Sequence, residues 1–264
     1  MLEVSKPLLI INADDYGRSL NINRAIIDAI KQGLVTDTSM MATIDEGFQD
    51  ACKKEYKDCI DSKLGIHFSL TLGNPLTDTM RMDKALCDDN GEFLKVFGNS
   101  IDWSKERKRV LYEELCAQVE KIREAGFTIT HADSHQHVHL THAILPVFIK
   151  CCKDMKIPVL RLKVSYHDRL KQRIGHLFEK YLYKFYGLKS IDNFSAPDIF
   201  TQADYCEGDY ITEIMAHPIY NSRNEIANKV SRASTDDCGI LRVQLKDVIP
   251  LFRKVNFEEA FNLY

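Results

Sequence analysis

Short apolar runs alternate with segments of helical period along almost the whole chain. Residues 8–12 (Leu-Leu-Ile-Ile-Asn) are a continuous run rich in β-branched side chains, which predicts a buried strand. The run ends in Asn12-Ala13-Asp14-Asp15-Tyr16-Gly17, where polar side chains cluster and Gly17 permits a sharp turn. Ala25, Ile26, Ala29 and Ile30 then recur at the helical period, with Gly33 where a C-cap belongs. Residues 34–42 return as a strand, 48–59 as a helix of mixed face, and 64–70 as a third strand. Residues 104–125 predict a long amphipathic helix, with Val110, Leu111, Leu115, Val119 and Ile122 on one face and Gly126 as its stop. A strand at 127–130 leads into a histidine-rich run. Beyond it lie a helix at 143–155, a strand at 158–162 with Arg161 inside it, and a polar-aromatic helix at 166–186. A late strand at 211–216 ends in His217-Pro218, and a helix at 245–252 and an extended piece at 255–257 close the pattern.

Strand and helix in alternation argue for a parallel sheet with crossover helices, an α/β class. No shift in composition divides the chain, so residues 1–264 read as one domain. At this length a (β/α) barrel is favoured over an open sheet, an irregular one with seven units rather than eight. Residues 72–103 break the rhythm. Turn signals at Gly73-Asn74-Pro75, Asp88-Asp89-Asn90-Gly91 and Gly98-Asn99 predict a long functional loop covering a site.

Composition narrows the function classes. The chain is 45% hydrophobic and 28% charged with a net charge of −3, which leaves no electrostatic footprint for nucleic acid or an acidic membrane. No run approaches the ~18 apolar residues of a membrane span. The eight cysteines (Cys52, Cys59, Cys87, Cys116, Cys151, Cys152, Cys206 and Cys238) show no CxxC pair and read as free, mostly buried thiols. With no leader-like apolar segment ahead of residue 8, the chain reads as cytoplasmic. A homodimer through an apolar helix face fits the pattern, with no residue to specify it.

Four of the nine histidines fall in His131-Ala132-Asp133-Ser134-His135-Gln136-His137-Val138-His139. If extended, this run points residues 131, 133, 135, 137 and 139 to one face. A surface cluster or a tag is the bland alternative, but the run is central and framed by strand-forming residues. Imidazoles and a carboxylate are donors for a borderline divalent cation, so a metal site at a strand end is expected. Asp14 and Asp15, His67, Asp133 and His135, and His217 each fall at or just after a predicted strand's C-terminal end, the face where α/β barrels collect their chemistry. Asp14 with Asp15 alone reads equally well as a helix N-cap, and His67 alone as a core histidine. Together they supply one Asp and two His with open positions, a hydrolytic ligand set, while a neighbouring carboxylate serves as base and His217 as proton donor. Arg161 is placed to orient a carboxylate or pin the base.

Residues 12–17, the segment Gly65-Ile66-His67-Phe68-Ser69-Leu70-Thr71, residues 130–139 and the segment Glu213-Ile214-Met215-Ala216-His217-Pro218 resemble, in this order, the motifs of the YdjC-like carbohydrate deacetylases. That family includes chitooligosaccharide deacetylases and a hopanoid-biosynthesis deacetylase. The resemblance spans residues 8 to 218 and implies a barrel related to the NodB-like polysaccharide deacetylases. It also implies a divalent ion, Mg²⁺ or Zn²⁺, and removal of an N-acetyl group from an N-acetylated sugar. Carried over, Asp15, His67 and His135 are the metal ligands, Asp14 the general base and His217 the acid. Gln136 departs from the family's usual run of histidines. Tyr16, Asp133, His137, His139 and Arg161 are then expected to support the ligands or face the substrate. Tyr16, Phe68, Phe93, Phe97 and Trp103 are candidates to stack on a sugar ring. The rival readings are a metal-dependent hydrolase of another small ester, amide or phosphoester, a carbohydrate-binding protein without turnover, and a structural metal protein.

Overall fold

The computed structural model describes residues 6–95, 101–162, 170–200, 210–229 and 238–263. Seven parallel strands form one curled sheet: β1 (Leu8–Tyr16), β2 (Asp37–Met40), β3 (Leu64–Phe68), β4 (His131–Ser134), β5 (Val159–Leu160), β6 (Asn193–Ser195) and β7 (Ile211–Ala216). Their order is β5-β4-β3-β2-β1-β7-β6, so consecutive strands pair from β1 to β5 and from β6 to β7, with β7 beside β1 and β5 and β6 at the two edges. A parallel bridge between Val159 and Lys189 brings the outer side of β5 against the segment entering β6. The sheet therefore curls toward a seven-unit (β/α) barrel, the architecture expected from the alternation. A two-stranded hairpin, β8 (Pro218–Tyr220) with β9 (Ile226–Asn228), follows β7. A two-residue strand β10 (Arg253–Lys254) pairs with the start of β1.

Helices surround this ring, and the last of them packs Phe257 into its base. They are α1 (Leu20–Lys31), α2 (Asp45–Ala51), α3 (Lys54–Ile60), α4 (Asp78–Arg81), α5 (Lys105–Glu124), α6 (Leu145–Asp154), α7 (Leu170–Phe185), α8 (Leu241–Leu245) and α9 (Phe257–Phe261). Helix α1 starts where the Ser19 hydroxyl accepts the Ile22 N–H, and it packs Ile26, Ile27, Ala29 and Ile30 inward. Helix α5 buries the predicted Val110, Leu111, Leu115, Val119 and Ile122. Each such aliphatic side chain contributes roughly 1.5–3 kcal/mol by leaving water. Among the described residues no helix is long and apolar enough to cross a membrane.

Strand alternation separates two cores. On β1, Leu9, Ile11 and Ala13 face the helices, while Ile10 belongs to a second cluster with Val159, Phe194 and Phe257 inside the barrel. The interior is apolar at its base and polar above: Asn12, Asp14, Ser39, His67, His131, Asp133, Arg161 and Glu213 are all buried. Gly65 makes room for this filling, since a Cβ there would lie 2.3 Å from Nε2 of His131.

Several elements differ from the sequence pattern. Residues 127–130 precede the ladder rather than join it, and β4 ends at Ser134, so the histidine run is not extended through 139. The predicted helix at 48–59 is two helices, α2 and α3. In the 245–257 stretch, a 3-10 turn at Ile249–Leu251 and strand β10 lie between α8 and α9. Of the 72–103 loop, Met80, Leu86 and Phe93 pack in the main core and Glu114 of α5 accepts the N–H groups of Leu76 and Thr77. None of its described residues lines the large cavity. Phe97, Cys206 and the start of the 166–186 helix lie outside the described residues; the seven described cysteines are free thiols.

Candidate metal centre and its cavity

The C-terminal end of β1 carries two carboxylates to the same place. Alternation sends Asp14 into the barrel and would send Asp15 out toward the helices. Instead Asp15 takes a left-handed backbone, with φ of 72°, and the β1–β2 register slips between Ala13 and Tyr16. This bulge turns Asp15 into the cavity beside Asp14 at a local cost of about 1–3 kcal/mol. Backbone strain of this kind, held in place by the surrounding structure, marks functional positions.

Three side chains from three strand ends meet there. Nδ1 of His135 lies 3.1 Å and Nε2 of His67 lies 3.4 Å from Oδ1 of Asp15. All three donor atoms fall within 4.8 Å of one another. The His67 ring is oriented from behind: its Nδ1–H donates to Oδ1 of Asp133 at 2.6 Å. That bond fixes the tautomer in which Nε2 carries its lone pair toward Asp15 and His135. Nε2 of His67 is buried and has no hydrogen-bond partner among the described residues. An imidazole nitrogen aimed, unpaired, at a carboxylate and a second imidazole fits a divalent cation. Burial alone would lower His67, but Asp133, then Asp15 and Asp14, raise it to about 10, so with no cation bound the ring keeps a second proton on Nε2, which a bound ion would displace to leave the Nδ1–H tautomer. Asp15 is held well below the usual carboxylate range: burial opposes this, and the adjacent imidazoles of His135 and His67 override it. A second group, Asp14, His67 and Asp133, also lies within ligand distance, but its atoms are already engaged by Arg161, Asn12 and Ser39.

Arg161, just beyond β5, organises the carboxylates around it. Its NH1 and NH2 donate to the two oxygens of Asp14, both at 2.7 Å. NH2 also lies 2.6 Å from Asp133 and 2.6 Å from Glu213, and Nε–H donates to Glu213 at 2.8 Å. Burial would raise the Asp14 carboxyl, yet Arg161 overrides it and holds Asp14 far below its ordinary range. Asp14 is therefore ionised and fixed in orientation at neutral pH.

The rest of the histidine run fans out because the chain changes conformation. A 3-10 turn spans His135–Leu140, with Gln136 and His137 left-handed at φ of 55° and 54°. His131 points into the barrel, bonded to Asn12 and stacked 3.8 Å from the Phe257 ring. His135 and His137 reach the cavity, Gln136 lies at its rim, and His139 is buried between Ser134 and the Arg161 carbonyl. Burial and the nearby Arg161 push His139 down to about 3, which leaves it neutral. Tyr16 is corrected outright: it is fully buried, its hydroxyl donates to the Ala51 carbonyl, and it faces the helices. Past the left-handed Asp15, strand alternation no longer assigns its side. Phe68 likewise packs edge-on against Phe148 in the main core. Asp133 is fully buried behind His67 and takes no part in the cavity wall.

The cavity has a volume of about 640 Å³ and is lined by Asp14, Asp15, His67, His135, His137 and His217, with Ile22, Ile199, Met215 and Ile219 as its apolar part. His217 stands at the end of β7, its backbone N–H held by Asn228. Sequence reasoning missed Arg18, which donates to Oδ2 of Asp15 at 2.7 Å, and Ser39, which donates to Asp133 at 2.9 Å. A serine inside a strand carried no signal of its own. A glutamate inside the apolar run 211–216 did carry one: it needs a buried cation, and Arg161 is that cation.

A family model described as YdjC-like protein matches residues 8–245. A carbohydrate deacetylase of Geobacillus stearothermophilus is 31% identical over 80% of this chain and 79% of its own length. A carbohydrate deacetylase of Brevibacillus brevis is 32% identical over 80% of this chain and 81% of its own length. A solved structure of a candidate cellobiose-phosphate cleavage protein from Enterococcus faecalis V583 shares the fold, with a TM-score of 0.69 at 22% identity over 97% of this chain and 99% of that one.

Proposed function

The chain belongs to the YdjC-like protein family, and on that premise we propose that it is a metal-dependent carbohydrate deacetylase, removing an N-acetyl group from an acetylated amino sugar. The observation that carries this reading is the meeting of Asp15, His67 and His135 beside the pinned Asp14, in the cavity that also holds His217. Asp15, His67 and His135 would hold one divalent cation. The choice between Zn²⁺ and Mg²⁺ leans to zinc, because two of the three donors are imidazole nitrogens. Such an ion supplies Lewis-acid polarisation of the amide carbonyl and acidifies a water molecule.

The protein's own residues do the remainder. Asp14, ionised by its contact with Arg161, takes a proton from water as the water oxygen bonds to the acetyl carbon. The carbon–nitrogen bond then breaks and His217 gives a proton to the departing amine, leaving acetate and a free amino sugar. Because Arg161 stabilises the charged form of Asp14, the carboxylate keeps a captured proton only weakly and is reset readily. The apolar side chains of Ile22, Ile199 and Met215 give the acetyl methyl and the sugar ring a surface without competing hydrogen bonds.

Replacing Asp14 by Asn tests the role of the base. The variant is expected to retain bound metal and to lose roughly 10²–10⁴-fold in kcat. Near-full turnover with metal bound would remove Asp14 from that role.

A further inference from the structure

We propose that Glu213 is a positioning residue for the reaction: by accepting the Arg161 Nε–H inside the barrel, it aims the terminal NH1/NH2 edge of the guanidinium at Asp14. This rests on the reading of Asp14 as base. Glu213 lies on the inward face of β7, is fully buried, and does not line the cavity, so it touches neither substrate nor cation.

The geometry leaves Arg161 one orientation. A guanidinium has five N–H donors in a fixed plane. Here Nε–H goes to Oε1 of Glu213 at 2.8 Å, while NH1 and NH2 go to the two oxygens of Asp14 at 2.7 Å each. The Phe194 ring covers the guanidinium, with its centroid 5.3 Å from the central carbon. Asp14 alone would fix the two terminal nitrogens only as a floating pair. Asp133, 2.6 Å from NH2, steadies the same terminal end, and the bond to Glu213 anchors the remaining nitrogen, Nε, and through it the direction in which Asp14 faces.

A stability role accounts poorly for this arrangement. Asp14, Asp133 and Glu213 all lie against the one guanidinium in a fully buried cluster of ionisable groups. Well-packed apolar residues commonly serve stability as well as buried ion clusters, or better. Oε2 of Glu213 has no hydrogen-bond partner among the described residues, a further cost that packing does not require. One acceptor atom, Oε1, holds the arginine, so an amide that keeps the acceptor should substitute for the acid.

The test compares Glu213→Gln with Glu213→Leu in the full-length, metal-loaded protein. The Leu variant keeps volume and removes the acceptor; its kcat is expected to fall about 100-fold, the order seen for misplacements near 1 Å. KM and metal content should stay within about threefold, since those groups are not moved. The Gln variant should recover kcat to within about fivefold of the parent. An independent readout is the ¹H–¹⁵N signal of the Arg161 Nε–H, assigned by its loss in Arg161→Lys. The signal should be protected from solvent exchange in the parent and in Glu213→Gln, and exposed or missing in Glu213→Leu. Equal kcat in all three proteins, or a Gln variant as impaired as the Leu variant, overturns the proposal. If Glu213→Leu does not fold, the Gln variant decides: a lost Nε–H signal there overturns it and a retained one supports it. If the metal-loaded parent releases no acetate, the deacetylase reading fails, and the Nε–H signals still decide whether Glu213 anchors Arg161.

Discussion

Asp133 illustrates how much of this centre is done by a side chain that never meets the cavity. It accepts from Nδ1 of His67 and from Ser39, and it also lies against Arg161. Through the first contact it fixes the imidazole tautomer; through the last it shares the guanidinium that pins Asp14. Replacing Asp133 by Asn is expected to weaken divalent-metal affinity about 10–100-fold, as for other partners that orient a ligand from behind. Competition titration against a chromophoric chelator measures this, and parental affinity in the variant contradicts it. The residues that brought this centre into view were those of unusual chemistry at strand ends: two adjacent aspartates, a histidine in an apolar strand, a histidine run. The residues that stayed hidden, Ser39 and Arg18, are ordinary types whose meaning comes only from what they touch. Tyr16 faces the helices because the left-handed residue just ahead of it resets which side of the strand each residue faces.

At the scale of elements, apolar periodicity located most strands and helices, because each must bury one face against the same core. It failed where the backbone leaves regular geometry. The histidine run keeps an every-second-residue pattern that imitates a strand, yet it becomes a 3-10 turn after Ser134, with two left-handed residues. That turn is what separates His135, aimed at Asp15, from His139, buried under Arg161. Helix α9 shows a similar limit. Nothing in the apolar pattern ties a late five-residue helix to the barrel interior, but Asn256 and Glu259 form its capping box and Phe257 stacks on His131 at the barrel base. The Phe257 N–H also donates to the buried Asp37. Phe257→Ala is expected to lower stability by about 3–5 kcal/mol, read from chemical denaturation, through loss of a buried ring that little can replace. A change under 1 kcal/mol would show that α9 is not part of the barrel's closure.

Across the whole molecule, the barrel grades from an apolar base around Ile10, Phe194 and Phe257, through a buried polar layer, to a cavity at the strands' C-terminal ends. The alternation of strands and helices made this architecture legible, and the clustering of polar groups after strands made its working face legible. The closure of the ring was not, because β5 has only two residues and its outer side meets Lys189 rather than a predicted strand. The account stands on the claim that this face holds a divalent cation used to hydrolyse an N-acetyl group. The most direct measurement is acetate release from N,N′-diacetylchitobiose by the purified protein, before chelation, after chelation, and after adding back Zn²⁺ or Mg²⁺. Release that stops with chelation and returns with the ion is the predicted result. Release that continues at the parental rate in fully metal-stripped protein, or no release from any N-acetylated sugar with the ion bound, would contradict it.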